Sequence, residues 1–296
     1  MKRLDRDFIS HGQKCAAWLF RPEGVEKPPV VVMAHGLAAE RTFRLPAFAE
    51  RFCAKGLAAL VFDYRNFGDS AGKPRNLISP RRHVQDWLAA ISHARSLHEV
   101  DGTRIGLWGS SFSGGHVLVA AARDGRVSAV VSQVPFVDGV STALSMNLRS
   151  SISGMIHALR DLLSVIAFQG PHCVPVAADP GEFALMNTPE SKPGYLALVP
   201  PESNWKNQAP ARIILTLPFY RPIAFAKKIQ CPVLMIYAEN DSLIPARDAP
   251  RCAAEIRQVQ TVKLAGGHFD LYVGELFEKV SAGEAEFLCQ YLIRAG

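Results

Sequence analysis

Ser111, Asp241 and His268 are the residue types that together turn an alcohol into a nucleophile, and they occur here in that order. A serine hydroxyl is weakly nucleophilic near neutral pH. A histidine must take its proton, and a carboxylate must fix the histidine's tautomer and stabilise its charged form. Ser111 stands in Arg104-Ile-Gly-Leu-Trp-Gly-Ser-Ser-Phe-Ser-Gly-Gly-His-Val-Leu, where a short apolar run meets small residues and then a helical pattern. Gly109 lies two residues before Ser111 and Ser113 two after, which is the G-x-S-x-G elbow with its last glycine replaced by serine. Such a turn holds the hydroxyl clear of the sheet, beside the positive end of a helix.

Other residues compete for each role. Ser113 also has small neighbours, but choosing it lengthens the turn after Trp108 and leaves Gly109 and Ser110 without a purpose. Ser110 points back along the strand end. Among histidines, His35 is placed to order the loop of an oxyanion site, and His116 lies along the helix after the elbow. Asp138, ending the strand after the elbow, is the alternative acid, whereas Asp270 reads as a local loop or helix-start residue. Attack on a carbonyl leaves negative charge on its oxygen, which backbone donors must meet. The N–H of Phe112, just after the serine, and that of Leu37, after His35-Gly36, are the expected pair.

The elements that would position these residues alternate. Short strands are expected at Arg6–Ser10 and Lys14–Phe20, then a buried β-branched strand at Val30–Ala34 and further strands at Leu57–Phe62, Arg104–Trp108 and Val127–Val134. Helices fall between them, at Leu45–Lys55, from Ser79-Pro80 onward, and after Ser111. This is the pattern of an α/β fold with a mostly parallel central sheet flanked by helices, whose ligands sit at the carboxyl ends of the strands. The alternation breaks between Gly139 and Ile229, too long a stretch for a plain connection. Residues 139–229 are therefore expected to form a cap, or lid, over a core made of 1–138 and 230–296. Ser145–Phe168 has the spacing of an apolar helix, and 171–201 is rich in proline; Trp205–Tyr220 reads as helical again. Met146, Met155, Ile156, Leu159 and Leu163 would line an acyl pocket, or else pack on the main domain. The sheet resumes at Cys231–Ala238, a helix follows at Ala246–Gln258, then a strand at Thr261–Leu264 and a last helix to Arg294.

The 296 residues are 48% hydrophobic and 20% charged, which excludes a disordered chain. The net charge of +6 is spread over isolated pairs such as Arg81-Arg82 and Lys227-Lys228, so nucleic acid is not an expected partner. No apolar run is long enough to cross a bilayer, and the first residues lack the apolar stretch of a signal peptide. Six scattered cysteines without C-x-x-C spacing read as reduced core residues of a cytoplasmic protein. The expected partner is a small acyl substrate, and a homo-oligomer is compatible with these features.

The motifs together resemble an α/β-hydrolase. His35-Gly36-Leu37, the Asp63-Tyr-Arg-Asn-Phe-Gly-Asp-Ser loop, Gly109-Ser-Ser-Phe-Ser-Gly-Gly and Ala238-Glu-Asn-Asp-Ser-Leu-Ile-Pro are similar to the serine-hydrolase branch containing dienelactone-hydrolase-like, X-Pro dipeptidyl-peptidase-like and polyketide acyltransferase or thiohydrolase-like proteins. The resemblance covers both flanks and is weak in residues 139–229. It implies acyl transfer to water or another acceptor, on an ester or thioester, without a metal or organic cofactor. A serine at the elbow argues against epoxide hydrolases and haloalkane dehalogenases of the same fold, which need an aspartate there.

Overall fold

The computed structural model describes residues 1–293. Its main sheet is built from β1 (Lys2–Asp5), β2 (Ala17–Arg21), β3 (Pro29–Ala34), β4 (Ala58–Phe62), β5 (Asp101–Ser110), β6 (Ala129–Gln133), β7 (Val233–Ala238) and β8 (Val259–Leu264). Their spatial order is β1-β2-β4-β3-β5-β6-β7-β8. Only β2 among them runs against the rest; β3 to β8 are parallel throughout. Every residue of β3, β4 and β6 is buried, which is why β3 and β4 read as continuous apolar runs and not as alternating ones.

Parallel register brings the carboxyl ends of the central strands to one line. Ala34 is level with Gly109, Ser110 with Gln133, Gln133 with Ile236, and Ala238 with Leu264. The loops that carry His35, Ser111, Asp241 and His268 all leave from this edge.

Helices α1 (Leu45–Ala54), α2 (Pro80–Ser96) and α3 (Phe112–Asp124) follow β3, β4 and β5. Between β6 and β7 come α4 (Gly139–Ser145), α5 (Leu148–Ile166), α6 (Ser191–Leu196) and α7 (Ile213–Thr216). Helix α8 (Asp248–Ala253) links β7 to β8, and α9 (Gly274–Leu292) closes the described chain; Arg294, where the last helix was expected to end, lies outside the described residues. Helix α1 packs with α9 and α2 with α3, as two layers against the sheet.

Several expected boundaries differ for identifiable reasons. The strand expected over Lys14–Phe20 divides at Ala16, whose N–H donates to Ser70 Oγ at 2.8 Å and whose carbonyl accepts from Asp63 N at 2.9 Å. Gln13–Cys15 instead forms a hairpin with Phe8–Ser10. The helix expected over Ala246–Gln258 shortens to α8, because its continuation tightens into the three-residue turns Glu255 N to Cys252 O and Ile256 N to Ala253 O. Over Trp205–Tyr220 only Ile213–Thr216 is α-helical, since Ala209–Pro210 pairs as a strand with Cys173–Val174. The Ser145–Phe168 helix starts afresh at Leu148, where Asn147 accepts from Ser150 N at 2.8 Å as an N-cap.

Candidate active site

At the end of β5 the chain reverses into α3 through Ser111, whose φ of 58° and ψ of −122° no unstrained side-chain-bearing residue adopts. Close approach dictates its small neighbours. A Cβ on Gly109 would lie 2.4 Å from the Ser113 carbonyl, and one on Gly36 would lie 3.1 Å from Ser111 Cβ. Ser113, where a glycine was expected, is fully buried, and its Oγ sits 2.8 Å from Tyr64 OH, which also accepts from Trp87 Nε1 at 2.9 Å. The departure from the motif is thus matched by a hydrogen bond that glycine could not make.

Ser111, His268 and Asp241 meet in one hydrogen-bonded line. Ser111 Oγ lies 3.0 Å from His268 Nε2, and His268 Nδ1 lies 2.7 Å from Asp241 Oδ2. The other carboxylate oxygen of Asp241 accepts the backbone N–H groups of Leu243 at 2.8 Å and Ile244 at 2.9 Å. Burial pushes this carboxyl up, but the His268 charge, the His268 hydrogen bond and those two amides outweigh it and hold the group below the usual carboxylate range. Asp241 is therefore ionised at neutral pH and fixes Nδ1 as the protonated nitrogen, leaving Nε2 to accept from the serine.

The alternatives lie elsewhere. Ser110 Oγ is held by Tyr272 OH and by Gln133 Nε2 at 2.9 Å. His116, on α3, is buried between Tyr220 OH and His83, and burial lowers its pKa to about 3. His35 is also buried, its pKa lowered to about 4 by desolvation, with its ring edge-on to Tyr64 and its Nδ1 3.1 Å from the Gly36 carbonyl. Both rings are neutral and hold structure. Asp138 caps α4 through Val140 N at 3.1 Å and receives a two-point ion pair from Arg221 at 2.9 and 3.1 Å. Asp270 Oδ2 accepts from Gly267 N at 2.8 Å, a local loop bond.

The Phe112 N–H stands at the first turn of α3, where no intrahelical carbonyl faces it. Leu37 lines the same cavity as Ser111, and its carbonyl accepts from Tyr195 OH at 2.7 Å. Trp205 Nε1 donates to the neighbouring Ala38 carbonyl at 2.8 Å. The loop carrying Leu37 is thus pinned by two aromatic residues of the segment between β6 and β7.

Glu190, from the same segment, has the most telling position that sequence reasoning missed. One carboxylate oxygen accepts from His268 N at 2.7 Å, and the other accepts from Ser242 N at 2.8 Å and from Ser242 Oγ. It ties the histidine loop to the aspartate loop. Nothing in its local sequence, inside a proline-rich stretch, signals this. Tyr272 was missed as well, although a tyrosine four residues after His268 is a spacing that one turn brings back to the same place.

The cavity over Ser111 is small, about 30 Å³. From the segment between β6 and β7 it receives Met186, Tyr195 and Leu198. Met146, Met155, Ile156, Leu159 and Leu163, expected either to line this space or to pack on the main domain, do neither. They are 45–62% exposed, because α5 turns Gly154, Ala158 and Asp161 inward instead. Among the described residues no group of three or more His, Cys, Asp or Glu is arranged to hold a metal, and no helix is long and apolar enough to cross a membrane.

Comparison with known proteins agrees with this architecture. Residues 31–278 match the model of the alpha/beta hydrolase family. The chain is 46% identical to the quorum-quenching protein AidA of Acinetobacter baumannii, over 96% of this chain and 94% of that one. It is 27% identical to a thiohydrolase of Eupenicillium brefeldianum, over 94% and 90% of the two chains. The solved structure of DcsB in complex with a substrate analogue superposes over the whole of both chains with a TM-score of 0.86 at 24% identity, a likeness of fold.

Proposed function

Since the chain belongs to the alpha/beta hydrolase family, we propose that it is a serine hydrolase that cleaves a carboxylic ester or thioester through an acyl-enzyme on Ser111. The observation that carries this reading is the unbroken line from Ser111 Oγ through His268 to an ionised Asp241. As Oγ attacks the carbonyl carbon, its proton passes to His268 Nε2. The imidazolium is stabilised by Asp241, whose second oxygen stays on its two amides. The carbonyl oxygen, now negative, is met by the N–H groups of Phe112 and Leu37, donors of a kind worth about 3–4 kcal/mol each when removed. Collapse expels the alcohol or thiol, protonated by His268. Water then repeats the sequence on the acyl-enzyme and frees Ser111.

Transfer of the acyl group to an alcohol or thiol instead of water is the second reading. That two relatives are called thiohydrolase and polyketide transferase suits either outcome. Product partition between water and an added alcohol or thiol separates them.

The assignment is tested with a fluorophosphonate probe and peptide mass spectrometry. The adduct is expected on Ser111 and absent from Ser111→Ala; labelling that persists in the variant removes Ser111 as nucleophile.

A further inference from the structure

The outward face of α5 is unlike the rest of the surface. Leu148, Ile152, Met155, Leu159, Leu162 and Ile166 follow one another at spacings of four, three, four, three and four residues. That is the seam of a coiled coil, in which alternate gaps of three and four keep one apolar line facing a partner helix. All six are exposed, from 42% at Leu162 to 76% at Leu148. Ile156 and Leu163, at 53% and 62%, widen the line on one side, and Phe168 stands 98% exposed at its end. The helix meets its own body on another face, through Gly154 against Ile214 and through Asp161, which Arg212 grips with three hydrogen bonds, one of them from its backbone N–H.

We propose that this seam binds the same seam of a second copy of the chain, antiparallel across a two-fold axis. With Leu144 and Met146, the exposed apolar residues of α5, each 42–76% exposed, present on the order of 1,000 Å² of accessible surface. That exceeds the ~300–600 Å² of the largest patch on an ordinary monomer and reaches the ~800 Å² per partner of a stable interface. The pattern is self-complementary in the antiparallel sense: Leu148 meets Ile166, Ile152 meets Leu162, and Met155 meets Leu159. This direction also sets the two helix dipoles head to tail and keeps the two Arg149 side chains at opposite ends of the interface. A lipid surface is the poorer fit. Helices that lie in a membrane interface carry a basic face toward the headgroups, whereas the basic residues of α5 are Arg149 and Arg160 alone and part of its other side is sealed against the body.

Sedimentation velocity of the full chain at tens of micromolar tests this, with expected sedimentation at twice the monomer mass. Ile152→Glu with Leu159→Glu should raise the dimer dissociation constant by at least about 100-fold, since each would bury an unpaired carboxylate. Both positions point outward, so the melting profile at low concentration should stay within a few degrees of the parent. Register is read by cysteine pairs. Leu148→Cys with Ile166→Cys should cross-link two chains on mild oxidation beyond the parent's background. Leu148→Cys alone should not, because antiparallel helices hold the two copies of that residue ~27 Å apart. A parent that is monomeric at these concentrations, a glutamate variant that stays dimeric, or a monomer that co-sediments with phosphatidylcholine vesicles through α5 overturns the proposal.

Discussion

Replacing Asp241 by asparagine is an unusually clean perturbation, because both carboxylate oxygens already act as acceptors. One takes Nδ1–H of His268 and the other takes two backbone amides. An asparagine has one oxygen and one donor group. If its oxygen keeps the amides of Leu243 and Ile244, its NH2 faces Nδ1, which must then accept. The proton moves to Nε2, and the nitrogen that should receive the Ser111 proton becomes a donor. Two amide bonds against one favour that arrangement. Wrong-tautomer variants of this kind lose roughly 10⁴ in kcat, about 5.4 kcal/mol at 1.36 kcal/mol per decade. Asp138→Asn should instead leave kcat within about threefold and weaken only the cap of α4 and the Arg221 ion pair, a cost of about 1 kcal/mol or somewhat more. The assay is steady-state hydrolysis of a short p-nitrophenyl ester, with circular dichroism to confirm folding. Asp241→Asn that keeps more than about a tenth of the parent turnover, or a larger loss in Asp138→Asn, would refute the tautomer argument.

Glu190→Gln should lower kcat about tenfold with little change in KM, since a charge-assisted acceptor to His268 or Ser242, worth ~1.5–3 kcal/mol, is lost from the loops that aim the base; turnover measured far below the melting temperature checks this, and a fall in melting temperature alone would make the residue structural. Glu284, buried beneath Trp108 Nε1 at 2.9 Å, has its carboxyl pushed up to about 8 by desolvation. A raised folded-state value means that the neutral carboxyl's contribution to stability is whole below the unfolded value of 4.5 and is lost as pH climbs through about 8. Glu284→Gln should therefore melt higher than the parent at pH 9 and close to it at pH 5, as followed by thermal melts across that range.

The core of the fold was legible because buried parallel strands leave an unmistakable mark. Val30–Ala34 and Ala58–Phe62 have no solvent face, so their apolar runs admit no alternation. Ser111 could be read from sequence because its turn tolerates almost nothing but small neighbours. Asp241 and His268 could be anticipated as a pair from their places after strands. What periodicity does not carry is the identity of the surface that an apolar face meets. The spacing in α5 announces a helix with an apolar side, yet Gly154, Ala158 and Asp161 meet the body while the larger residues face away. Glu190 was illegible for a different reason: its contacts span 52 and 78 residues to loops that meet only in the folded chain.

One segment does two things to the space above Ser111. Met186, Tyr195 and Leu198 line it, leaving a cavity of about 30 Å³. Tyr195, Trp205 and Glu190 grip the loops of Leu37, Ser242 and His268. If the site takes an acyl chain as proposed, that chain passes side chains of the same segment that keeps those loops aligned, so admission and readiness are coupled like two ends of a lever. A molecule that forces the gap without drawing the grip back leaves base and amides slack. Discrimination between substrates then falls on turnover as well as on binding, with the correct acyl group being the one that lets the segment settle again.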